Sequence, residues 1–592
     1  MAEEKKGPNP ILNLFRLTWK YSLGRRHLVI LVFVLFTIAV GIELLTPYII
    51  GRIFNAIQES EGGKALFRTI LFHLSLLVIL QIGFWGFHGT GRILERKNAF
   101  YVKLNYKKEA INQVLELSPG WHRDHHSGDT IDKINRAASA MGRFSGLLFA
   151  PIQAILVLTG AFIILAFIDL KSALIAIVFS AVSIFIIYRF DNVLSKQYKR
   201  LYLHENFIAS AVHDFVSNIV TIITLRLKKM ASKEVLVRML KPFRLYHKNI
   251  VLNEIKWFFA SMGVTTMIVV VLILYSYDQI TTTGTVLIGT LFMLYRYVDR
   301  IGDTFFEFAY RYGDMIEQNA SVVAMDPLKQ AYGKVPLVEK QPKLPVNWKK
   351  IEIKSLYFSY EDKKHKRHHM NNIDVILRRK QRIAFVGESG SGKSTLLALL
   401  RGLYHTRFVD VYVDDKKMEF GLKHLSEHVT LIPQEPEIFN NTIKNNITLG
   451  LRFSDSAVGD VTKIAAFDPV IKRLPKGLRS SISEKGVNLS GGEKQRLALA
   501  RGLLAGEKSD ILLLDEPTSS VDSKNELRIY QDLLKKYSQK TIISSIHRLH
   551  LLKFFDYIYY FWDGKIVAEG TLKGLMKNKS FQRIWREYHR KG

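Results

Sequence analysis

The sequence predicts two halves of different kind: an α-helical membrane domain with six spans and long cytoplasmic helical extensions, followed by a soluble α/β domain. Two observations support this division. Long apolar runs separated by basic stretches fill the chain up to about residue 320, and ordinary α/β composition follows. At 592 residues, the chain is also too long for one domain, since a domain usually holds about 100 to 200 residues.

We divide the chain into four segments, which are an N-terminal cytoplasmic segment (1–26), the membrane domain (27–324), a linker (325–348) and the α/β domain (349–592). The linker contains several prolines and has no apolar periodicity. The polar start MAEEKKGPNP is not followed by a short apolar segment with a cleavage site. A cleaved signal peptide is therefore not expected.

Six stretches are apolar enough to cross a bilayer, for which a helix needs roughly 20 mostly apolar residues. They lie near 28–50, 66–88, 144–168, 172–188, 257–277 and 284–304. The two long connections, 89–143 and 189–256, hold 10 and 13 Lys and Arg residues, whereas the three short ones hold three in total. The N-terminal segment is basic too. The positive-inside rule then places both termini, both long connections and the α/β domain in the cytoplasm.

The long connections are rich in helix formers and nearly free of Pro and Gly, so they predict two helical arms. Arms of about 25 residues would extend roughly 40 Å at 1.5 Å per residue. The tips are predicted at 118–129 and 204–220. The histidine-rich stretch 121–126 could be a metal site, but we favour a polar tip that docks onto the α/β domain. KKHKRHH (363–369) is interpreted as a solvated hairpin loop.

The net charge of +31 is compatible with binding either to nucleic acid or to a membrane surface. The apolar runs require a bilayer in any case, so we favour contact with anionic lipid headgroups and expect no nucleic-acid partner. The chain contains no cysteine. Disulfides, thiolate metal sites and cysteine nucleophiles are therefore excluded.

Four ionisable residues fall within predicted spans: Glu43 in the first, and Arg296, Asp299 and Arg300 in the last. Charges at membrane depth are costly and usually face a cavity or each other. One interpretation places them in a translocation pathway, where the arginines would meet an anionic substrate. The other is an internal ion pair or an interfacial position, and the sequence does not decide between them.

A phosphate-binding loop follows the apolar run RIAFV. The stretch GESGSGKS and the threonine after it lead into the helical LLALLRGLY. The residues of this loop are Gly387, Glu388, Ser389, Gly390, Ser391, Gly392, Lys393, Ser394 and Thr395. Strand, glycine-rich loop, Lys-Ser and helix in this order are the P-loop of an NTPase. Backbone N–H groups and Lys393 would hold the phosphates, and Ser394 would bind Mg²⁺.

A second strand, ILLLDEPTSSVD (511–522), ends in two carboxylates. Asp515 is placed to hold Mg²⁺. Glu516, one residue further, can polarise the attacking water as a general base. Two surface acids at a strand end would be the alternative, and the P-loop disfavours it.

The order of GESGSGKS, IPQEP, LSGGEKQR, LLLDEPTSSVD and SSIHRL resembles the ATP-binding cassette. With six spans ahead of it, the whole chain is similar to a half-transporter of the ABC exporter class, which includes bacterial lipid flippases and multidrug exporters. The resemblance implies ATP and Mg²⁺ as cofactors and a multi-pass protein of the bacterial inner membrane, with the cassette in the cytoplasm.

The resemblance also implies roles for individual residues. Tyr360 matches the aromatic that stacks on adenine, although a core tyrosine is the alternative. Gln434 matches the residue that contacts Mg²⁺ and links the site to the arms, and His547 matches the one that contacts the γ-phosphate. Asp522 matches the acidic end of a loop that communicates across a dimer.

The stretch NLSGGEKQR presents the start of a helix that suits an anion, although the P-loop already supplies one such cradle. In the family, Ser490, Gly491 and Gly492 close over the γ-phosphate held by a second cassette. The resemblance therefore implies a dimer. Because this chain keeps Glu516 and the whole signature, we expect a homodimer, with a second kind of chain as the alternative.

The expected function is ATP-driven export or flipping of a hydrophobic or amphipathic substrate, such as a lipid or drug. Glu516 and His547 would be the catalytic residues. A peptide exporter and a cassette-regulated channel are alternatives. Importers usually have separate cassette chains, and soluble ATPases cannot accommodate six spans. Two departures from the family concern glycines: Lys380-Gln381 stands where Gly-Glu is frequent, and DVYVDDKKM (410–418) lacks the usual hairpin glycines.

Overall fold

The fold is that of a computed structural model of the chain. It describes residues 9–125, 127–335, 343–360, 370–406, 408–482, 489–578, 581–583 and 585–586. The chain forms two compact units. One comprises Met1–Leu117 and His125–Val335, and the other comprises Ser118–Asp124 and Pro336–Gly592. Most of the first predicted tip thus belongs to the same unit as the α/β domain, as expected for a tip that docks onto that domain. His126 and the 363–369 loop lie outside the described residues.

The first unit is built from long helices. In chain order, the helices are α1 (Pro10–Tyr21), α2 (Arg26–Glu59), α3 (Lys64–Leu115), α4 (Pro119–Asp124), α5 (Ser127–Ser145), α6 (Ala150–Ile168), α7 (Leu170–Ser217), α8 (Ile219–Thr224), α9 (Lys228–Leu240), α10 (Phe243–Thr283), α11 (Ile288–Val323) and α12 (Asp326–Gly333). Helix α4, at the tip of the first arm, belongs to the second unit. Helix α3 alone has 52 residues, far more than a bilayer needs. The predicted arms are therefore continuations of the spans.

The second arm turns later than predicted. Helix α7 runs through the middle of the predicted tip and ends at Ser217, and the chain turns between Asn218 and Leu227, where α8 separates α7 from α9. The predicted linker is not wholly irregular, because α12 occupies its first part. Residues 336–342 of the linker lie outside the described part of the chain.

Among the residues that the structure describes, five helical stretches are long and apolar enough to cross a membrane. They are Arg26–Glu59, Lys64–Leu115, Ser127–Ile168, Leu170–Ser217 and Lys228–Thr283. The sixth predicted span falls on α11, which begins at Ile288 and not at residue 284. Four charged residues between positions 296 and 303 lower the apolar character of this helix.

Three charged residues of α11, Arg296, Asp299 and Arg300, pair within the unit. The guanidinium of Arg300 donates to the carboxylate of Glu43 on α2, and Arg296 donates to Asp299 at 2.9 Å. These contacts agree with the internal ion-pair interpretation. The Tyr297 hydroxyl, fully buried, donates to the Leu44 carbonyl oxygen at 2.6 Å, so α2 and α11 are joined twice over a short distance.

Close backbone contact between α2 and α11 depends on two glycines. A Cβ atom on Gly51 would collide with the Met293 side chain, and one on Gly289 would collide with the Gly51 carbonyl oxygen and with Asn55. Small residues at such crossings let helices in a membrane approach closely. The Asn55 side chain also donates to the Thr290 hydroxyl at 3.1 Å.

The second unit contains two sheets. The strands are β1 (Lys350–Phe358), β2 (Met370–Arg378), β3 (Arg382–Gly387), β4 (Asp410–Val413), β5 (Lys416–Lys417), β6 (Val429–Ile432), β7 (Ile511–Asp515), β8 (Thr541–Ser545), β9 (Tyr557–Trp562) and β10 (Lys565–Gly570). A four-stranded antiparallel sheet has the order β2-β1-β4-β5, and a six-stranded sheet has the order β10-β9-β3-β8-β7-β6. Strands β9, β3, β8, β7 and β6 are parallel, as their continuous apolar runs indicate.

Helices cover the six-stranded sheet. They are α13 (Lys393–Leu400), α14 (Ile443–Thr448), α15 (Asp455–Ile464), α16 (Asp468–Arg473), α17 (Gly491–Ala505), α18 (Ser523–Lys536) and α19 (Leu572–Leu575). One apolar core fills the space between the two sheets, and a second lies under α15, α17 and α18. The α/β class predicted from the sequence is confirmed.

The positions without the expected glycines adopt glycine-like backbone conformations. Lys380, Asp414 and Asp415 have φ angles of +63°, +48° and +64°. The left-handed region costs a non-glycine residue about 1–2 kcal/mol. Asp414 offsets part of this cost, because its carboxylate accepts hydrogen bonds from the backbone N–H groups of Lys349 and Lys350 at 2.8–3.1 Å.

Substitution Gly289→Ala tests the contact between α2 and α11. The added methyl group has no room, and overpacking costs about 1–3 kcal/mol. We expect the melting temperature of the detergent-solubilised protein to fall by several degrees. Gly41→Ala in α2 is the control, because a Cβ atom there meets nothing within 4 Å. Equal melting temperatures for the two variants would contradict the contact.

Candidate nucleotide-binding site

The P-loop connects β3 to α13 and is shaped by glycines. A Cβ atom on Gly387 would clash with the Phe561 carbonyl oxygen, so only glycine fits at the end of this buried strand. Gly392 has φ +105° and caps the N-terminus of α13. A glycine-rich loop that leads into a helix N-terminus can present successive backbone N–H groups to one anion, which is the property that suits a phosphate.

Lys393 points into this loop. Its side chain is 5% exposed, and the ammonium donates to the carbonyl oxygens of Gly387 at 2.8 Å and Glu388 at 2.9 Å. Burial lowers the pKa of Lys393, and the carboxylates of Glu516 and Asp515 oppose that shift. The ammonium group is thus held in place by backbone oxygens at the position where the phosphates of a nucleotide are expected.

Asp515 lies beside the P-loop because β7 and β3 are separated by a single strand. The Ser394 hydroxyl donates to its carboxylate at 2.9 Å. Burial raises the pKa of Asp515, whereas the Ser394 hydrogen bond and Lys393 act in the opposite direction. The structure therefore brings together the two residues expected to share a metal ion, and both offer the oxygen ligands that Mg²⁺ prefers.

Glu516 follows Asp515 in a left-handed conformation with φ +44°, which turns its side chain away from the strand. The Gln434 amide donates to its carboxylate at 3.2 Å. Glu516 and His547 line the same cavity, which has a volume of about 250 Å³. Three residues predicted from separate motifs therefore meet at one place.

Tyr360 connects the end of β1 to the P-loop. Its hydroxyl lies 3.1 Å from the Thr395 hydroxyl, and its ring contacts Phe358 and Tyr404 edge-on. The ring is only partly buried. Within the same unit, the Arg123 guanidinium from the tip helix α4 lies over the ring at 5.3 Å. An aromatic face at the P-loop is what adenine stacking requires, and a fully buried core tyrosine is not what the structure shows.

The signature residues begin α17. Ser490 caps this helix: its hydroxyl accepts from the Glu493 N–H at 3.3 Å, and the Glu493 carboxylate accepts from the Ser490 N–H at 2.8 Å. This capping box fixes the first turn. A Cβ atom on Gly492 would lie 2.6 Å from the Ser520 carbonyl oxygen, whereas one on Gly491 meets only the Ser520 side chain at 3.9 Å.

The signature does not join the P-loop of its own chain. Among the described residues, no hydrogen bond connects 490–492 to 387–395. Helix α17 packs closely against β6, since a Cβ atom on Gly502 would lie 2.5 Å from the Ile432 side chain. Strand β6 is three strands from β3 in the sheet, or about 14 Å at the usual strand spacing. The two elements that the sequence predicts to bind phosphate are thus separated within one cassette.

Gln495 has a structural role that the sequence did not predict. Its side chain is buried and accepts from the Ser520 N–H at 2.7 Å. Its amide donates to the Ser519 hydroxyl at 2.7 Å and to the Gln434 carbonyl oxygen at 3.4 Å. One side chain therefore holds three motif segments together. The residue lies inside LSGGEKQR, but its partners, 24 to 61 positions away, could not be read from that motif.

Arg548, beside His547, was also missed. Its guanidinium donates to the Val521 carbonyl oxygen and to the buried Glu526 carboxylate, both at 2.9 Å. Asp522 lies near this contact but at the N-cap of α18, where it accepts from the Asn525 N–H at 3.0 Å. Those hydrogen bonds to Asn525 lower the pKa of Asp522.

The fold and the site define a class of protein: a multi-span membrane protein that carries a P-loop domain for binding ATP. Comparison with known proteins gives the family. The family model described as the ABC transporter transmembrane region matches residues 29–298, and the ABC transporter model matches residues 370–519. The chain belongs to the ABC transporters and is a half-transporter with ATPase-coupled transport activity.

Relatives agree with this assignment. An export ATP-binding/permease protein of Rickettsia bellii is 26% identical over 97% of this chain and 98% of its own length. The multidrug resistance-like ATP-binding protein MdlB of Buchnera aphidicola subsp. Schizaphis graminum is 33% identical over 53% of each chain. The structure of a bacterial Atm1-family ABC exporter with ATP bound matches with a TM-score of 0.79 at 20% identity, over 95% of this chain and 98% of that one. The chain is an ATP-binding exporter that spans the membrane several times.

Substitution Gln495→Ala tests the link between the motifs. It removes the side-chain acceptor of the Ser520 N–H, a hydrogen bond worth about 0.5–1.5 kcal/mol, and it releases the segment after Glu516. We expect the ATPase rate to fall about 10-fold. Gln495→Glu keeps the acceptor but loses the donor, so its rate should be intermediate. Steady-state ATPase assays check this order, and a wild-type rate for Gln495→Ala would refute the link.

Proposed function

We propose that the chain works as a homodimer in a bacterial inner membrane and exports or flips a hydrophobic or amphipathic substrate, such as a lipid or drug. Residues 27–324 would form the membrane domain, 325–348 the linker and 349–592 the cytoplasmic cassette. The observation that supports this proposal is the separation of the signature from the P-loop, since a nucleotide in the proposed mechanism is bound by both. The family membership supports ATP-driven export, and the dimer and substrate class are our inference.

ATP would bind at the P-loop. The backbone N–H groups of 387–395 and the Lys393 ammonium would hold its phosphates, and Tyr360 would stack on adenine. Ser394, Asp515 and Gln434 would hold Mg²⁺, which neutralises phosphate charge. The 2.9 Å contact between Ser394 and Asp515 supports a shared metal ion.

Glu516 would act as the general base of hydrolysis. In this reaction, a water oxygen attacks the γ-phosphorus, the water proton passes to the Glu516 carboxylate, and the bond to the leaving oxygen of ADP breaks. The hydrogen bond from Gln434 fixes one side of the carboxylate. His547, which lines the same cavity, would contact the γ-phosphate.

The second copy would complete each site. Its residues Ser490, Gly491 and Gly492 would present the N-terminus of α17 to the γ-phosphate, where the helix dipole and free N–H groups favour an anion. Two copies then form two sites. Closure of the cassettes on ATP would reach the spans through the arms, with Asp522 at the dimer contact, and hydrolysis would reset the transporter.

Substitution Glu516→Gln tests the catalytic role. The amide cannot accept the proton, so the ATPase rate in proteoliposomes should fall at least about 100-fold, the usual contribution of a general base. ATP affinity should change less than about threefold, since charge is removed without loss of shape. Both are measured on the purified protein, by phosphate release and by nucleotide binding.

Glu427→Gln is the matched control, because Glu427 is an exposed acid of the same domain. It should hydrolyse ATP at the wild-type rate. If Glu516→Gln also keeps that rate, Glu516 is not the base and the assignment fails.

A further inference from the structure

A charged groove opens in the first unit between α3, α5 and α11. Its volume is about 710 Å³, and its lining includes Arg92, Arg96, Arg143, Asp314 and Glu317. Arg92 follows the end of the second predicted span by four residues, or about 6 Å along a helix. Arg143 immediately precedes the third predicted span. The arginine side of the groove therefore lies where these two helices are expected to leave the bilayer, at the level of lipid headgroups.

Arg92 is fixed in this groove. Its guanidinium donates to the Glu95 carboxylate and to the Gly146 carbonyl oxygen, the latter at 3.2 Å. Glu95 is buried and in turn accepts from the Phe149 N–H at 3.0 Å. A guanidinium held from two sides loses little conformational freedom when it binds an anion, which favours binding.

Arg96 and Arg143 are exposed, and neither side chain makes a hydrogen bond or ion pair with another described residue. Other basic residues of α5 are different: Lys133 pairs with Asp129, and Arg136 pairs with Asp132. The positive-inside rule explains basic residues at this depth. It does not explain why Arg143 has no ion pair with a described residue while Lys133 and Arg136 on the same helix are paired.

The opposite wall carries acids. Asp314 and Glu317 are three residues apart on α11, which puts them on the same side of the helix. The Asp314 side chain has no ion pair or hydrogen bond among the described residues. Gly142 on α5 and Gly146 directly after it add no side chain to the groove, so the space between the arginines and the acids stays open.

We propose that this groove binds the headgroup of an amphiphile that carries both a phosphate and an ammonium group. Arginine matches phosphate with paired hydrogen bonds, and carboxylates match an ammonium. Arg96 and Arg143, with the fixed Arg92, hold the phosphate, and Asp314 and Glu317 hold the ammonium. The proposal names the substrate class of the exporter and rests on the proposed function. It also separates the headgroup site from Arg296 and Arg300, which are paired within the unit.

The test is equilibrium binding of radiolabelled dioctanoyl lipids to the full-length protein in a maltoside detergent. Phosphatidylethanolamine carries both groups, phosphatidylglycerol carries the phosphate alone, and diacylglycerol carries neither. We expect phosphatidylethanolamine to bind most tightly and diacylglycerol to show no saturable binding. Displacement of the lipid by millimolar inorganic phosphate would overturn the proposal, because the groove would then be a site for free anions.

Substitutions test the phosphate contact and the ammonium contact separately. Arg143→Gln should weaken both phospholipids about 10-fold, as expected for a lost charged hydrogen bond, and Arg143→Lys should restore part of this loss. Asp314→Asn should weaken phosphatidylethanolamine about fivefold and leave phosphatidylglycerol unchanged. Arg136→Gln, on the same helix but outside the groove, is the matched control and should bind like the wild type.

Unchanged lipid binding in Arg143→Gln would overturn the groove as the site. An equal effect of Asp314→Asn on both phospholipids would overturn the ammonium contact. The control Arg136→Gln, which lies outside the groove and the cassette, should keep the wild-type basal ATPase activity. The proposed function is judged separately, by Glu516→Gln, and it can stand if the groove does not bind lipid.

Discussion

Close contact between Gly492 and the Ser520 carbonyl oxygen fixes where α17 begins, and the rest of the site depends on this constraint. Helix α17 is further held by Gln495, by the capping box at Ser490 and by packing on β6. Its N-terminus cannot reach the P-loop after β3 without breaking these contacts. The cassette therefore has its P-loop and its signature helix start in different places, each held by its own contacts, which makes assembly of two copies a chemical requirement of the proposed mechanism.

The sequence was sufficient for the α/β class and for the P-loop because backbone chemistry dictates both. Glycines at 387 and 392 are needed by the turn itself, and continuous apolar runs are needed by buried parallel strands. The sequence was not sufficient for Gln495 and Arg548, whose partners are remote in the chain and depend on tertiary structure. Lys380 and Asp414 show a second limit of prediction from the sequence. Both residues adopt left-handed backbone conformations where glycine was expected, since neighbouring contacts compensate for the cost.

The membrane half shows how charge and close packing can coexist in apolar helices. Glu43 and Arg300 neutralise each other between α2 and α11, and Gly51 and Gly289 let the same helices approach. Charges on α11 looked from the sequence like candidates for substrate binding, whereas their pairing gives them a structural explanation. The groove beyond the spans presents a different case, because Arg96, Arg143 and Asp314 line it without a hydrogen bond or ion pair to another described residue.

Crosslinking tests the central claim most directly, because the chain contains no cysteine of its own. Cysteines introduced by Ser389→Cys in the P-loop and Gly491→Cys in the signature, in a Glu516→Gln background, would be oxidised with and without ATP. A site shared by two copies predicts an ATP-dependent product of dimer size on a non-reducing gel. A disulfide formed within single chains, seen as a monomer without free thiols, would contradict the account.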